Sequence, residues 1–114
     1  MELIKDQNAF INENGAQITP YLLPASVDTI SVVEVIVGIK GHGCTKSTQA
    51  DRIIKIIEGK GILKVGNDSL SVSPGSIYYV PKNTFYDYIA TRGILKVIVF
   101  DVPKFNPQFE VTKK

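Results

Sequence analysis

The sequence predicts an all-β fold of closely spaced antiparallel strands, and three observations predict it. Apolar and polar residues alternate over short segments, β-branched residues concentrate in those segments, and Gly, Pro and Asn divide them. No long amphipathic helix interrupts the pattern. Many short strands in 114 residues leave a sandwich or a barrel, and a double-sheet jelly roll matches the hairpin spacing.

Each element follows from local chemistry. Residues 1–28 read as an irregular or N-terminal strand segment containing Pro20 and Pro24, which cannot donate to a ladder. Thr29 to Ile39 is a long strand rich in Val and Ile and broken by Gly38, and Gly38 to Gly43 is a loop. Arg52 to Ile57 and Gly61 to Val65 read as two strands joined by a tight turn at Glu58-Gly59-Lys60-Gly61. A second hairpin at Gly66-Asn67-Asp68 leads into Ser69 to Ser73. Pro74-Gly75 is a turn, Ser76 to Val80 and Thr84 to Ala90 are strands, and Gly93 to Val102 is a last long strand. The tail from Pro103 reads as irregular. With no internal repeat, low-complexity segment or linker, residues 1–114 are expected to form one domain with its barrel core at 29–102 and its tail at 103–114.

Composition excludes several classes of function. Hydrophobic residues make up 44% and charged residues 21%, a globular balance. A net charge of +2 with no basic run longer than a pair gives no footprint for nucleic acid. Nothing resembles an export leader, and no apolar stretch approaches the roughly 20 residues that span a bilayer. Cys44 has no partner for an intrachain disulfide, so a reducing, cytoplasmic setting is expected.

The most informative stretch is Gly75-Ser-Ile-Tyr-Tyr-Val-Pro81-Lys-Asn83-Thr-Phe-Tyr86. With Ile56-Ile57-Glu58-Gly59-Lys60-Gly61 it resembles the paired motifs of the cupin superfamily, small double-stranded β-helix barrels whose members commonly hold a metal through histidines and a glutamate. The resemblance covers roughly Gly38 to Pro103. Gly75 and Pro81 fall in register, Asn83 stands for a glycine and can take the same left-handed backbone, Tyr86 stands for a histidine, and Ala90 for an asparagine. Counting back from Gly59 places Arg52 at the glutamate. The two histidines are replaced by Lys46 and Thr48, or by Thr45 and Ser47 if the spacer is one residue longer. Pro103-Lys104-Phe105-Asn106-Pro107 is similar to the tail of many single-domain members.

The resemblance therefore implies a barrel whose metal-ligand residues are replaced, with neither metal nor other cofactor expected. Lysine and arginine repel a metal ion, whereas imidazoles and carboxylates hold one. His42 and Cys44 have an H-x-C spacing but match neither the motif's distance from Gly38 nor that from Gly59, and they read as a loop histidine and a small semi-buried thiol. Strand alternation places Arg52, Ile54 and Ile56 on one face and Asp51, Ile53, Lys55 and Ile57 on the other, and the resemblance implies that the Arg52 face is the inward one. Tyr86 and Tyr88 then share an inward face, apart from Phe85 and Asp87.

The expected ligand-binding residues are Arg52, Tyr86, Lys46, Thr48, Tyr88, Tyr78 and His42, a polar and partly cationic lining suited to a small anionic or sugar-like molecule. On this reading Arg52→Ala or Tyr86→Phe alters binding and leaves the fold intact. The competing role for Arg52 is a salt bridge with Asp51 or Asp87, and for the tyrosines it is core or dimer packing. Gln49 and Asn83 read as rim residues that satisfy their own turns. Other functions in view are a sugar-nucleotide epimerase, isomerase or cyclase using acid/base residues, a metal-dependent dioxygenase or isomerase with a rebuilt site, and a non-enzymatic sensory or accessory module. A homodimer is expected from the resemblance and from the apolar segments Val32 to Val37 and Phe105 to Phe109.

Overall fold

The computed structural model describes residues 1–113. Ten strands follow in chain order: β1 (Ile4–Lys5), β2 (Phe10–Ile11), β3 (Gln17–Leu22), β4 (Ser31–Val37), β5 (Thr45–Ser47), β6 (Asp51–Val65), β7 (Asp68–Val72), β8 (Ile77–Val80), β9 (Tyr86–Val102) and β10 (Glu110–Thr112). A single 3₁₀ turn, Pro107–Phe109, precedes β10. All pairings are antiparallel. Among the described residues no helix is long and apolar enough to cross a membrane.

Two long strands organise the barrel. β6 and β9 pair along almost their whole lengths, from Asp51↔Val102 to Val65↔Tyr86, with register irregularities between Ile56 and Glu58 and between Gly59 and Gly61. These bulges reverse the phase of the alternation. Before them the even-numbered Arg52, Ile54 and Ile56 are buried, and after them the odd-numbered Gly61 and Leu63 are buried. β9 does the same across Gly93, a left-handed residue at φ 62, burying Tyr86, Tyr88 and Ala90 on one side and Leu95, Val97, Val99 and Asp101 on the other. A bulge adds one residue to one strand and bends it. Both halves of each strand thereby face a single interior.

The turn expected at Glu58 to Gly61 is not a chain reversal but this bulged bend within β6. Its glycines serve close approach: a Cβ on Gly59 would overlap the Ile94 carbonyl oxygen, and one on Gly61 the Ile89 carbonyl oxygen. Thr84 to Ala90 and Gly93 to Val102 likewise fuse into one strand, β9. The Gly66-Asn67 hairpin and the Pro74-Gly75 turn form as expected, with Val65 opposite Asp68 and the Gly75 N–H donating to the Ile56 carbonyl at 2.9 Å. Residues 1–28 carry three strands, of which β3 completes a sheet with β4 and β9.

Packing follows the alternation. Val35, Val37, Ile54, Ile56, Leu63, Leu95 and Val97 fill the interior. Burying each such aliphatic side chain contributes about 1.5–3 kcal/mol. The tail after Pro103 is more ordered than its composition suggests. β10 pairs with β5, setting Glu110 opposite Ser47 and Thr112 opposite Thr45, and the Thr48 N–H donates to the Phe109 carbonyl at 2.9 Å. That return of the chain closes one side of the barrel and brings in a carboxylate.

Candidate ligand cavity

At one end of the barrel the packed interior gives way to a cavity of about 480 Å³, lined by residues from β2, β3, β4, β5, β6, β9 and β10 and by the loop before β5. Its polar floor is built on Arg52. The Arg52 Nε donates to Asp101 Oδ1 at 2.8 Å, Nη2 to Asp101 Oδ2 at 3.3 Å, and Nη1 to the Tyr86 hydroxyl at 2.9 Å. Nη2 also lies 2.7 Å from Glu110 Oε1. Arg52 and Asp101 are cross-strand partners on β6 and β9, so the fork-to-carboxylate pairing is set by strand register.

Arg52 and Asp101 are almost fully buried, at 3% and 4% exposure. Burial alone would favour the neutral guanidine, but Tyr86 and the hydrogen bonds to Asp101 and Glu110 outweigh it and hold Arg52 above its ordinary value. Burial pushes Asp101 and Glu110 upward from their ordinary values, and the guanidinium opposes that rise in both. Burial also raises Tyr86 and Tyr88, so both phenols keep their protons at neutral pH.

The cavity wall beside this floor is aromatic. The His42 ring stacks on Tyr88 with centroids 5.2 Å apart and planes inclined by 27°, and Tyr86 stacks on Tyr88 at 6.1 Å. Burial lowers the His42 pKa below 6.5, and the Gly43 carbonyl and Asp87 only partly offset it. The imidazole is therefore neutral at pH 7. With Nδ1 donating to the Gly43 carbonyl at 3.3 Å, Nε2 carries the lone pair.

The loop that presents His42 is fixed from two sides. Asp87 Oδ1 accepts from the backbone N–H groups of His42 and Gly43, each at 3.1 Å. Asn12 Nδ2 donates to the His42 carbonyl at 2.9 Å. Gly41 at φ 73 lets the loop lie against β9, where a Cβ would strike the Ile89 side chain. A loop histidine thus has its ring against the barrel's aromatic wall.

Of the residues expected to bind ligand, Arg52, Tyr86, Tyr88 and His42 meet at the cavity. Lys46, Thr48 and Tyr78 do not. The spacer takes its longer form, turning Thr45 and Ser47 inward, so Lys46 lies outside with its ammonium 4.8 Å above the Phe85 ring. Thr48 is exposed, its hydroxyl donating to the Phe109 carbonyl at 3.3 Å, and Tyr78 packs against the core from the sheet. Asn83 adopts φ 63 and donates its N–H to the Ser47 carbonyl at 2.7 Å, and the Gln49 N–H donates to Ser47 Oγ, so both act as turn residues.

The partner of Arg52 is neither Asp51 nor Asp87. Asp51 points outward and accepts from the Tyr79 hydroxyl and the Lys82 N–H, while Asp87 is engaged by the His42 loop. Asp101 and Glu110 take its place. The odd-numbered alternation Leu95, Val97, Val99 carries a signal for an inward Asp101, whereas Glu110 sits in a segment with no strand pattern of its own. Among the described residues no group of three or more His, Cys, Asp or Glu side chains is placed to hold a metal ion. His42 has no such companions at the cavity, and both carboxylates there are tied to a guanidinium, which repels a cation.

No family model and no curated protein matches the sequence. Solved structures do match in three dimensions. Pac13, described as a nucleoside dehydratase, superposes with a TM-score of 0.83 at 19% identity, covering 100% of this chain and 91% of its own. Streptomyces PAC13 variants have been solved with uridine. KdgF from Halomonas sp. superposes with a TM-score of 0.75 at 18% identity over 90% of this chain and 91% of its own. TT1209 from Thermus thermophilus gives 0.73 at 15% identity over 90% of this chain and 98% of its own. At these identities the likeness concerns the fold, and the fold of this chain is an all-β, cupin-like barrel.

Proposed function

We propose that the cavity binds a small hydroxylated molecule of sugar or nucleoside size and transfers protons on it, with His42 as general base and a cavity phenol, Tyr88 first, as general acid. The observation that carries this reading is the neutral imidazole of His42 stacked on Tyr88 in a ligand-sized cavity. Cavities of roughly 300–1,000 Å³ with an apolar wall and a few convergent polar groups are the usual form of small-molecule sites. Aromatic rings offer a stacking surface to a flat or cyclic ligand. A base with its lone pair free beside a protonated phenol is the minimum for eliminating water across a C–H and a C–OH bond: the base takes the carbon-bound proton and the acid protonates the departing hydroxyl. Dehydration of a nucleoside, the activity ascribed to Pac13, is chemistry of that kind. In this reading the site is metal-free, with Arg52 and Tyr86 where metal-binding relatives are expected to hold ligands.

The test is a binding screen of nucleosides and sugars followed through His42, whose imidazole is the only one in the chain. Binding of uridine or a related nucleoside that shifts the His42 resonances, and is weakened by Tyr88→Ala, is the expected result. Elemental analysis of the purified protein showing stoichiometric transition metal would overturn the metal-free reading.

We also propose self-association through the outer sheet face. Val32, Phe100, Ile53 and Tyr79 are successive cross-strand partners on β4, β9, β6 and β8, forming an outward apolar row, with Ile53 and Tyr79 substantially exposed. The Val32 to Val37 segment supplies only part of this surface, because Val33, Val35 and Val37 face the interior. Rows of this kind on a twisted sheet pack well against their own two-fold copy.

A further inference from the structure

The guanidinium at the cavity floor is already saturated. Four of the five N–H bonds of Arg52 are directed at Asp101, Glu110 and Tyr86, leaving no paired donor edge for an incoming carboxylate or phosphate. Arg52 is the one Lys or Arg among the described residues that line the cavity, and it faces two carboxylates there. The lining thus sets two carboxyl groups against one guanidinium. Glu110 stands apart from Asp101 in how it arrives. Asp101 is the register partner of Arg52 inside the sheet, whereas Glu110 comes from the three-residue strand β10, where it stands opposite Ser47 of β5.

We infer that Glu110 is an internal anion occupying the place a ligand carboxylate or phosphate would take on Arg52, and that it restricts the cavity to uncharged, polyhydroxylated molecules. The inference deepens the proposed function and rests on it for the identity of the cavity as a ligand site. It also changes the meaning of an inward arginine. The anion expected at Arg52 comes from the same chain, and a phosphorylated ligand entering the cavity would meet a guanidinium already paired with two carboxyl groups rather than a free cation. In a partly buried setting a single charge a few ångströms away is enough to change affinity by about tenfold or more.

The experiment uses the whole protein and three probes at neutral pH: inorganic phosphate, uridine and uridine 5′-monophosphate. Binding is followed through the His42 imidazole and the Tyr86 and Tyr88 ring resonances. Wild-type protein should respond to uridine more strongly than to its monophosphate and should not respond to phosphate. Glu110→Gln, which keeps the shape and the hydrogen bonding, should gain phosphate binding at least about tenfold tighter than wild type. Glu110→Thr, which suits strand β10, should gain it too and serves if the glutamine variant loses its fold. Phosphate binding to wild type as tight as to either variant would overturn the inference, as would a folded variant that gains none. If uridine fails to bind while the variants gain phosphate, the proposed function falls and the role of Glu110 stands.

Discussion

The imidazole of His42 lies over the ring of Tyr88, with centroids 5.2 Å apart, and the residue preceding Tyr88 in the chain holds the loop that carries the imidazole. One strand does both because its faces alternate: Tyr86 and Tyr88 look into the barrel while Asp87 looks away from it toward the loop. The geometry of imidazole and aromatic wall is therefore fixed by three consecutive residues of β9.

His42 should titrate below 6.5, because burial disfavours its charged form. The sign for stability follows from linkage. The unfolded chain takes up the proton at the ordinary pKa, and the folded chain does so only at lower pH. This contribution is intact above about 6.5 and is lost as pH falls from there through the folded value. Proton NMR of the single imidazole gives the pKa directly, and a value at or above 6.5 would contradict the buried, stacked placement.

Breaking the Arg52 cluster should unfold the protein rather than merely empty the cavity. Arg52→Ala leaves the buried Asp101 and the partly buried Glu110 without a counter-charge, and removing one partner of a buried pair costs about 3–5 kcal/mol. Tyr86→Phe removes one hydrogen bond to the same guanidinium and should cost less, about 1–3 kcal/mol. Urea denaturation ranks the two, and an Arg52→Ala midpoint equal to wild type would return Arg52 to a purely ligand-facing role.

Asp87→Asn keeps an oxygen for the two loop N–H groups but removes the charge that raises the His42 pKa, so the imidazole should titrate lower still in a folded variant. Gly41→Ala should instead disturb the loop itself, since φ 73 strains an alanine and its Cβ meets Ile89. A loss of about 1–3 kcal/mol is expected. The pair separates the electrostatic effect from the conformational one by comparing the His42 pKa with the melting temperature.

Sedimentation should show a dimer at micromolar concentration, and Ile53→Lys, which places a charge in the middle of the row from Val32 to Tyr79, should convert it to monomer. A wild-type monomer at high micromolar concentration removes the proposed face.

Much of the barrel was legible from short-range patterns. Alternation puts Arg52, Ile54 and Ile56 on one face and Tyr86 beside Tyr88, and the family resemblance turns those faces inward, because each run lies wholly within one half of a long strand. It misread the joins. At Gly59 and Gly93 the bulges reset the phase, and a local reading takes a glycine there for a reversal of the chain when it marks a bend. The site was less legible because its parts are non-local. Asp101 reaches Arg52 through register, Glu110 through a strand too short to show a pattern, and His42 through backbone contacts with Asp87 and Asn12. The ambiguity of one residue at Lys46 to Thr48 is resolved by β10, whose pairing with β5 accompanies the inward placement of Thr45 and Ser47.

The position of Glu110 ties the cavity to a marginal piece of the fold. β10 is three residues long and pairs with β5, so fraying of that short strand would withdraw one carboxylate from Arg52 and uncover an edge of the guanidinium.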